Sequence, residues 1–254
     1  MKSSLLQELE FRREQGRKSF AVLIDPDKTG PEALEELIPA LVQNKADYIF
    51  VGGSLVTGNA LHACVSMLKK LCQIPVILFP GNSLHLCPEA DAILFLSLIS
   101  GRNPEFLIGQ HVIAAPLLKN SGLQILPVGY MLVDSGAQTT VSYISNTNPL
   151  PRDKPEIAAC TAMAGEMLGL RLMFLDAGSG AQMPVSSRMI RTVSKAVDTP
   201  LFVGGGINNA RKASEAWEAG ADVVVVGNGI EENRELMGEI SKIKMQLNAA
   251  GVLN

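Results

Sequence analysis

Eight short apolar runs, most of them closing on glycine or aspartate and separated by amphipathic stretches, predict an α/β chain folded as a (β/α)8 TIM barrel. Three observations carry that expectation. The runs, 20–25, 48–53, 76–81, 92–99, 124–133, 171–176, 201–206 and 223–227, are nearly continuous in Val, Ile, Leu and Phe rather than alternating, as parallel strands covered on both faces are. Ala-Asp recurs just before three of them, at Ala46-Asp47, Ala90-Asp91 and Ala221-Asp222, which suits a repeated αβ unit. The length, 254 residues, is that of one barrel domain spanning 1–254. A doubly wound open sheet is the alternative, because closure does not show in a sequence.

Taken in order, the chain opens with a helix over 4–15 and reaches the first strand at Phe20. A second helix follows at 31–43, where Leu34, Leu37, Ile38 and Leu41 share one face and Glu32, Glu35 and Glu36 another. Pro75 and Pro200 open two strands at positions where a missing N–H is tolerated. Between the third and fourth strands, Asn82 to Glu89 is short for a full helix, so the third barrel helix is shortened or replaced by a loop. That would leave an apolar groove flanked by Leu78, Phe79, Phe95, Leu96, Leu98 and Ile99, most of which ordinary barrel core also explains. The segment 134–156, rich in Ser, Thr, Asn and Pro, is long enough to be a lid over the barrel mouth or a disordered loop. Trp217, on the seventh helix, packs against the barrel or in a subunit contact.

Composition narrows the function. Hydrophobic residues make up 47% of the chain, enough for one large core, and no linker divides it. The net charge is −3 with no basic cluster, so nucleic acid is not an expected partner. The charged N-terminus lacks the apolar centre of a signal peptide, and no run is long enough to cross a bilayer, so a cytoplasmic protein is expected. Cys64, Cys72, Cys87 and Cys160 lack metal-binding spacing and are expected to be reduced, buried thiols.

The chemistry gathers at the strand ends, where barrels of this kind place their active sites. The sixth run ends in FLDAGSG, 174–180, the seventh in Gly204-Gly205-Gly206 and the eighth in Gly227-Asn228-Gly229. Backbone amides at these tips, with helix N-termini expected at Asn208 and Glu231, would bind a phosphate; ordinary tight turns are the alternative. Asp176 is placed to take a proton from a hydroxyl group, or else bonds within its own turn. Across the mouth, Asp25 ends strand one beside Ser54 of strand two, a carboxylate and a hydroxyl that could hold Mg2+; Asp25 as a turn or helix cap is the competing reading. The three histidines have no mutual spacing. Arg102 could pair with a diphosphate or be a solvated loop arginine.

Assembled, the motifs LIDPDK (23–28), VGGS (51–54), FLDAGSG (174–180), VGGGI (203–207) and VVGNGI (225–230) resemble those of the geranylgeranylglyceryl phosphate synthase family, which includes the PcrB-like bacterial enzymes. The likeness spans nearly the whole chain. It implies a Mg2+-dependent prenyltransferase that joins sn-glycerol 1-phosphate to a polyprenyl diphosphate, geranylgeranyl diphosphate foremost, in phospholipid biosynthesis. It further implies that Asp25 and Ser54 bind the metal, and that Phe174, Leu175, Asp176, Ala177, Gly178, Ser179, Gly180, Gly205, Gly206, Gly227 and Asn228 bind glycerol phosphate. A homo-oligomer is implied as well. Archaeal members commonly carry Tyr and Glu where Phe174 and Asp176 stand, which alters how glycerol is held. Competing functions are a phosphosugar or indole-pathway isomerase or lyase, a flavin-dependent oxidoreductase, and a phosphate-ligand sensor without catalysis.

Overall fold

The computed structural model describes residues 4–53 and 60–251. Its apolar runs form eight parallel strands: β1 (Ser19–Ile24), β2 (Tyr48–Gly52), β3 (Val76–Phe79), β4 (Ala92–Leu98), β5 (Gln124–Leu132), β6 (Leu172–Asp176), β7 (Leu201–Gly204) and β8 (Val223–Val226). Strand β8 pairs back onto β1, Ser19 opposite Val223 and Val22 opposite Val226, so the sheet closes and the open-sheet alternative falls.

The expected strands overran their observed ends for identifiable reasons. β3 stops at Phe79 because Pro80 has no N–H to give the ladder. β7 stops at Gly204 because Gly205 and Gly206 turn into left-handed conformations, φ +79° and +69°.

The helices are α1 (Leu5–Glu14), α2 (Pro31–Gln43), α3 (Ala60–Leu71), α4 (Gln110–Lys119), α5 (Thr140–Ser145), α6 (Pro155–Met167), α7 (Ser187–Ser194), α8 (Ala210–Ala219), α9 (Asn228–Glu232) and α10 (Leu236–Gly251). A short π-helical turn, Glu105–Gly109, leads into α4. No helix joins β3 to β4, so the third barrel helix is indeed replaced by a loop. Helix α8 starts at Ala210 with Asn209 as its cap, and α9 at Asn228. The helix starts expected at Asn208 and Glu231 are corrected accordingly. The segment 134–156 is neither bare loop nor disordered: α5 lies within it, and its ends are pinned where Val133 bridges Leu150.

Side chains alternate along each strand between two apolar layers. Phe20, Val22, Ile49, Val51, Leu175 and Val203 face the helices. Ala21, Tyr48, Phe50, Tyr130, Phe174, Phe202 and Val225 fill the barrel interior. Helix α1 does not join the outer ring. Its Leu5 and Leu9 enter the interior cluster, closing the N-terminal end of the barrel. Trp217 is buried and its indole N–H donates to the Ser19 carbonyl at 3.1 Å, which settles it as packing against the barrel. Three cysteines are buried, but Cys160 is exposed on α6, against expectation. Among the described residues, no helix is long and apolar enough to cross a membrane.

Candidate active site

The C-terminal end of the barrel holds a cavity of about 450 Å³ floored by aromatic rings. Phe79 stacks on Phe174 at 5.6 Å, Tyr130 meets Phe174 edge-on at 5.5 Å, and Phe202 meets it at 5.9 Å. Ring pairs at these distances and angles add about 0.5–1.5 kcal/mol each beyond their buried area, so the base of the cavity is a packed aromatic layer. Above it the walls are mostly backbone. Gly178, Ser179, Gly180, Gly205, Gly206, Gly227 and Asn228 all line it, which brings the three glycine-rich tips into one site. The Ser179 hydroxyl reaches Asn228 Oδ1 at 3.4 Å, tying the loop after β6 to the turn after β8.

Close approach explains the glycines. A Cβ on Gly205 would stand 2.6 Å from the Gly178 nitrogen, and 2.7 Å from both the Ala177 nitrogen and Asp176 Oδ1. Only a residue without one lets the loops after β6 and β7 meet. Lys28 is the one basic side chain lining this cavity among the described residues, so an anion here would be gripped mainly by amides.

Asp176 ends β6 almost fully buried. Its Oδ1 accepts the Gly178 amide at 2.7 Å and its Oδ2 the Tyr130 hydroxyl at 2.6 Å. Burial raises the carboxyl above its ordinary range, and these two donors oppose the rise by stabilising the ionised form. Burial and the neighbouring carboxylate push the Tyr130 phenol well above its usual value, so it stays protonated and donates. A carboxylate has about four acceptor positions, so two remain for a ligand.

Leu175 and Ala177 point their side chains away from the cavity. Both are wholly buried in the outer layer and neither lines the cavity. Arg102 bonds the carbonyls of its own loop, Ile99 and Gly101, and does not reach the cavity.

At the β1 tip, Asp25 lines the same cavity, partly exposed. Oδ1 accepts the Asp27 amide at 3.1 Å, as the turn reading expected, while Oδ2 lies 3.4 Å from the Lys28 ammonium. Ser54, its expected partner, lies outside the described residues. Among those described, no three His, Cys, Asp or Glu gather to hold a metal ion. A carboxylate at the β1 tip without a cluster of further ligands would suit Mg2+ of the kind that keeps waters and takes phosphate oxygens, not a metal caged by protein.

A second, apolar cavity adjoins the first where Gly53 and Phe79 line both. It runs between the helix-free β3–β4 connection and α4, past Leu86, Ile93, Phe95, Leu96 and Phe106, and Val141 and Ile144 of α5 border it. Thr140 of the same helix borders the polar cavity. The groove inferred from the missing helix is therefore present, with α5 across it. Tyr130 and α5 escaped the sequence reading. The signal for Tyr130 was a hydroxyl on an inward-facing position of β5, opposite Phe174 in register.

Fold and site together define a phosphate-gripping (β/α)8-barrel enzyme with an apolar side cavity. The PcrB family profile matches residues 10–245. Geranylgeranylglyceryl phosphate synthase of Spirosoma linguale is 59% identical over 93% of this chain and 95% of its own. The enzyme of that name from Korarchaeum cryptofilum is 42% identical over 94% and 98%. The crystal structure of (S)-3-O-geranylgeranylglyceryl phosphate synthase from Thermoplasma acidophilum, in complex with its substrate sn-glycerol-1-phosphate, superposes with a TM-score of 0.90 at 30% identity, covering 96% of this chain and 99% of that one. The chain belongs to the PcrB family and is a prenyltransferase.

Proposed function

We propose that the chain joins sn-glycerol 1-phosphate to a long-chain polyprenyl diphosphate, geranylgeranyl diphosphate foremost, forming the ether bond of a prenylglyceryl phosphate for phospholipid biosynthesis. The observation that carries this is the meeting of a polar, amide-walled cavity with an apolar one beside Asp176. A hydrophilic phosphate ester and a hydrocarbon tail each find a matching compartment, and their reacting ends meet at Gly53 and Phe79. The relative that holds sn-glycerol-1-phosphate supports the same assignment.

In this reading the amides of 178–180, 205–206 and 227–228 grip the glycerol phosphate. Asp176 accepts the proton of the attacking glycerol hydroxyl as its oxygen bonds to C1 of the prenyl group. The bond from C1 to the diphosphate oxygen breaks, and the diphosphate leaves with its electron pair. The charge of that leaving group would be neutralised by Mg2+ when bound. Asp25 is the residue that would hold it, with Ser54 as the expected second ligand, and Lys28 lies beside Asp25 to face the diphosphate. The apolar cavity takes the tail, and α5 shields the junction from water. Such chemistry suits a cytoplasmic enzyme drawing on amphiphilic donors. The exposed Ile108, Val112, Ile113 and Leu117 at and before α4 support self-association, which light scattering would test.

Incubation with glycerol 1-phosphate, Mg2+ and a ladder of prenyl diphosphates should yield a prenylglyceryl phosphate by mass spectrometry. Asp176→Asn should reduce turnover by about 10² or more, the usual loss for a positioned base. Absence of product from every donor would reject the reaction, and near-normal turnover of the variant would reject the base.

A further inference from the structure

Asp176 lines the polar cavity, whereas Tyr130 lines the apolar one, and their side chains meet at the partition between the two. Tyr130 is fixed before it reaches the carboxylate. Its ring lies edge-on to Phe174 and tilted against Phe79 at 6.1 Å, and the residue is buried. Asp176 is fixed from the other side by the Gly178 amide, with Gly205 so close that a Cβ there would stand 2.7 Å from its Oδ1. The phenol is thus the one side-chain donor that the structure gives this carboxylate among the described residues.

We propose that Tyr130 is the positioning residue of the reaction: its hydroxyl holds Asp176 Oδ2 at the cavity partition and leaves the remaining lone pairs of the carboxylate to the glycerol hydroxyl. The inference rests on the reading of Asp176 as the base. A carboxylate this deeply buried would otherwise favour its neutral form, which takes no proton. Charge-assisted donation from a phenol that itself stays protonated counters that preference. The ring contributes separately, as wall of the apolar cavity, so removing the oxygen alone isolates the hydroxyl's part. Other charged groups bordering the polar cavity are Asp25, Lys28 and Glu231, at the β1 and β8 tips, whereas the donors to Asp176 are Tyr130 and Gly178.

Tyr130→Phe is the test, with Asp176→Asn beside it. The variant should fold with an unchanged circular dichroism spectrum. Turnover should fall about ten- to a hundredfold, the scale of one hydrogen bond to a charged group. KM for glycerol phosphate should stay within about threefold, since the amide grip is untouched. The acid limb of the kcat profile should move to higher pH, because a carboxylate that loses a donor protonates more readily. Infrared difference spectra, wild type and Tyr130→Phe each against its Asp176→Asn counterpart, should show the Asp176 carboxyl band titrating at higher pH in the variant. That readout needs no turnover. An unmoved band and acid limb would overturn the proposal and leave Tyr130 as packing alone. Near-normal turnover by Asp176→Asn would instead remove the base reading, while the infrared titration still decides whether Tyr130 governs the carboxyl.

Discussion

Two glycines at the mouth share a left-handed backbone yet differ in what surrounds them. Gly205 has φ +79° and backbone atoms within 2.7 Å of where a Cβ would stand; Gly180 has φ +75° and open space. Gly180→Ala should therefore lower stability by about 1 kcal/mol from backbone strain alone, with KM for glycerol phosphate little changed. Gly205→Ala must also push the loop after β6 away, displacing Gly178 and Asp176 together. Its KM should rise at least about tenfold and turnover fall with it, the loss expected when positioning shifts by about 1 Å. Equal KM values in the two variants would show that close approach of the loops is not what shapes the site. These glycines and Asp176 were legible in the sequence, because each follows an apolar run whose end is unmistakable. Tyr130 was not. On β5 it reads as one more strand residue, and its meaning depends on which residue of β6 stands opposite, a register that no single strand encodes.

At the scale of elements, the recurring Ala-Asp pairs have a physical role. Asp47, Asp91 and Asp222 each precede a strand, and each side chain accepts an amide at the start of the strand before it: Phe20 at 3.0 Å, Val76 at 2.8 Å and Leu201 at 2.9 Å. Each Asp also donates its own N–H back to the carbonyl of that same residue. The two-point clasp fixes the register of β1 on β2, β3 on β4 and β7 on β8 at the barrel's N-terminal end. Every clasp has a cation: Arg12 and Lys244 at Asp47, Lys69 at Asp91, Arg13 and Lys18 at Asp222. Their exposure differs, and so should their worth. The Asp222 side chain is 8% exposed and the Asp91 side chain 30%. Asp222→Ala strips the buried Leu201 amide of its acceptor and Arg13 of its carboxylate, leaving that guanidinium only the Val197 and Ser194 carbonyls, and should cost about 3–5 kcal/mol in denaturant unfolding. Asp91→Ala, where water can replace the lost partner, should cost about 1–2 kcal/mol. Similar values for both would mean that burial does not set the strength of the clasp. The repeat was visible as a spelling; the bond it makes needed neighbouring strands in place. Likewise, the missing third helix was legible from a short connection, whereas α5 hid in a polar segment whose apolar Val141 and Ile144 turn to the cavity.

For the whole molecule, closure separates stability from chemistry along the barrel axis. All the groups assigned to the reaction stand at the C-terminal end, and the N-terminal end is sealed by α1. There Leu9 is 2% exposed within the interior cluster. The Leu5 amide donates to Gln124 Oε1 at 2.6 Å, and the Arg12 guanidinium sits 5.8 Å from the Tyr48 ring centre. The seal buries apolar surface but touches no group of the site, because the aromatic layer of Phe50, Phe79, Phe174 and Phe202 lies between. Leu9→Ala would leave a cavity under that layer and should cost about 2–5 kcal/mol. For a chain of this size that lowers Tm by about 6–15 °C. At 25 °C, where the variant remains folded, kcat and KM should stay within about twofold of the parent, since conserving the upper rings conserves the cavity floor. Calorimetry and steady-state kinetics on one preparation decide it. A turnover loss matching the Tm loss would show that the aromatic layer transmits strain from the seal to Asp176, so that the two ends of the barrel are mechanically one.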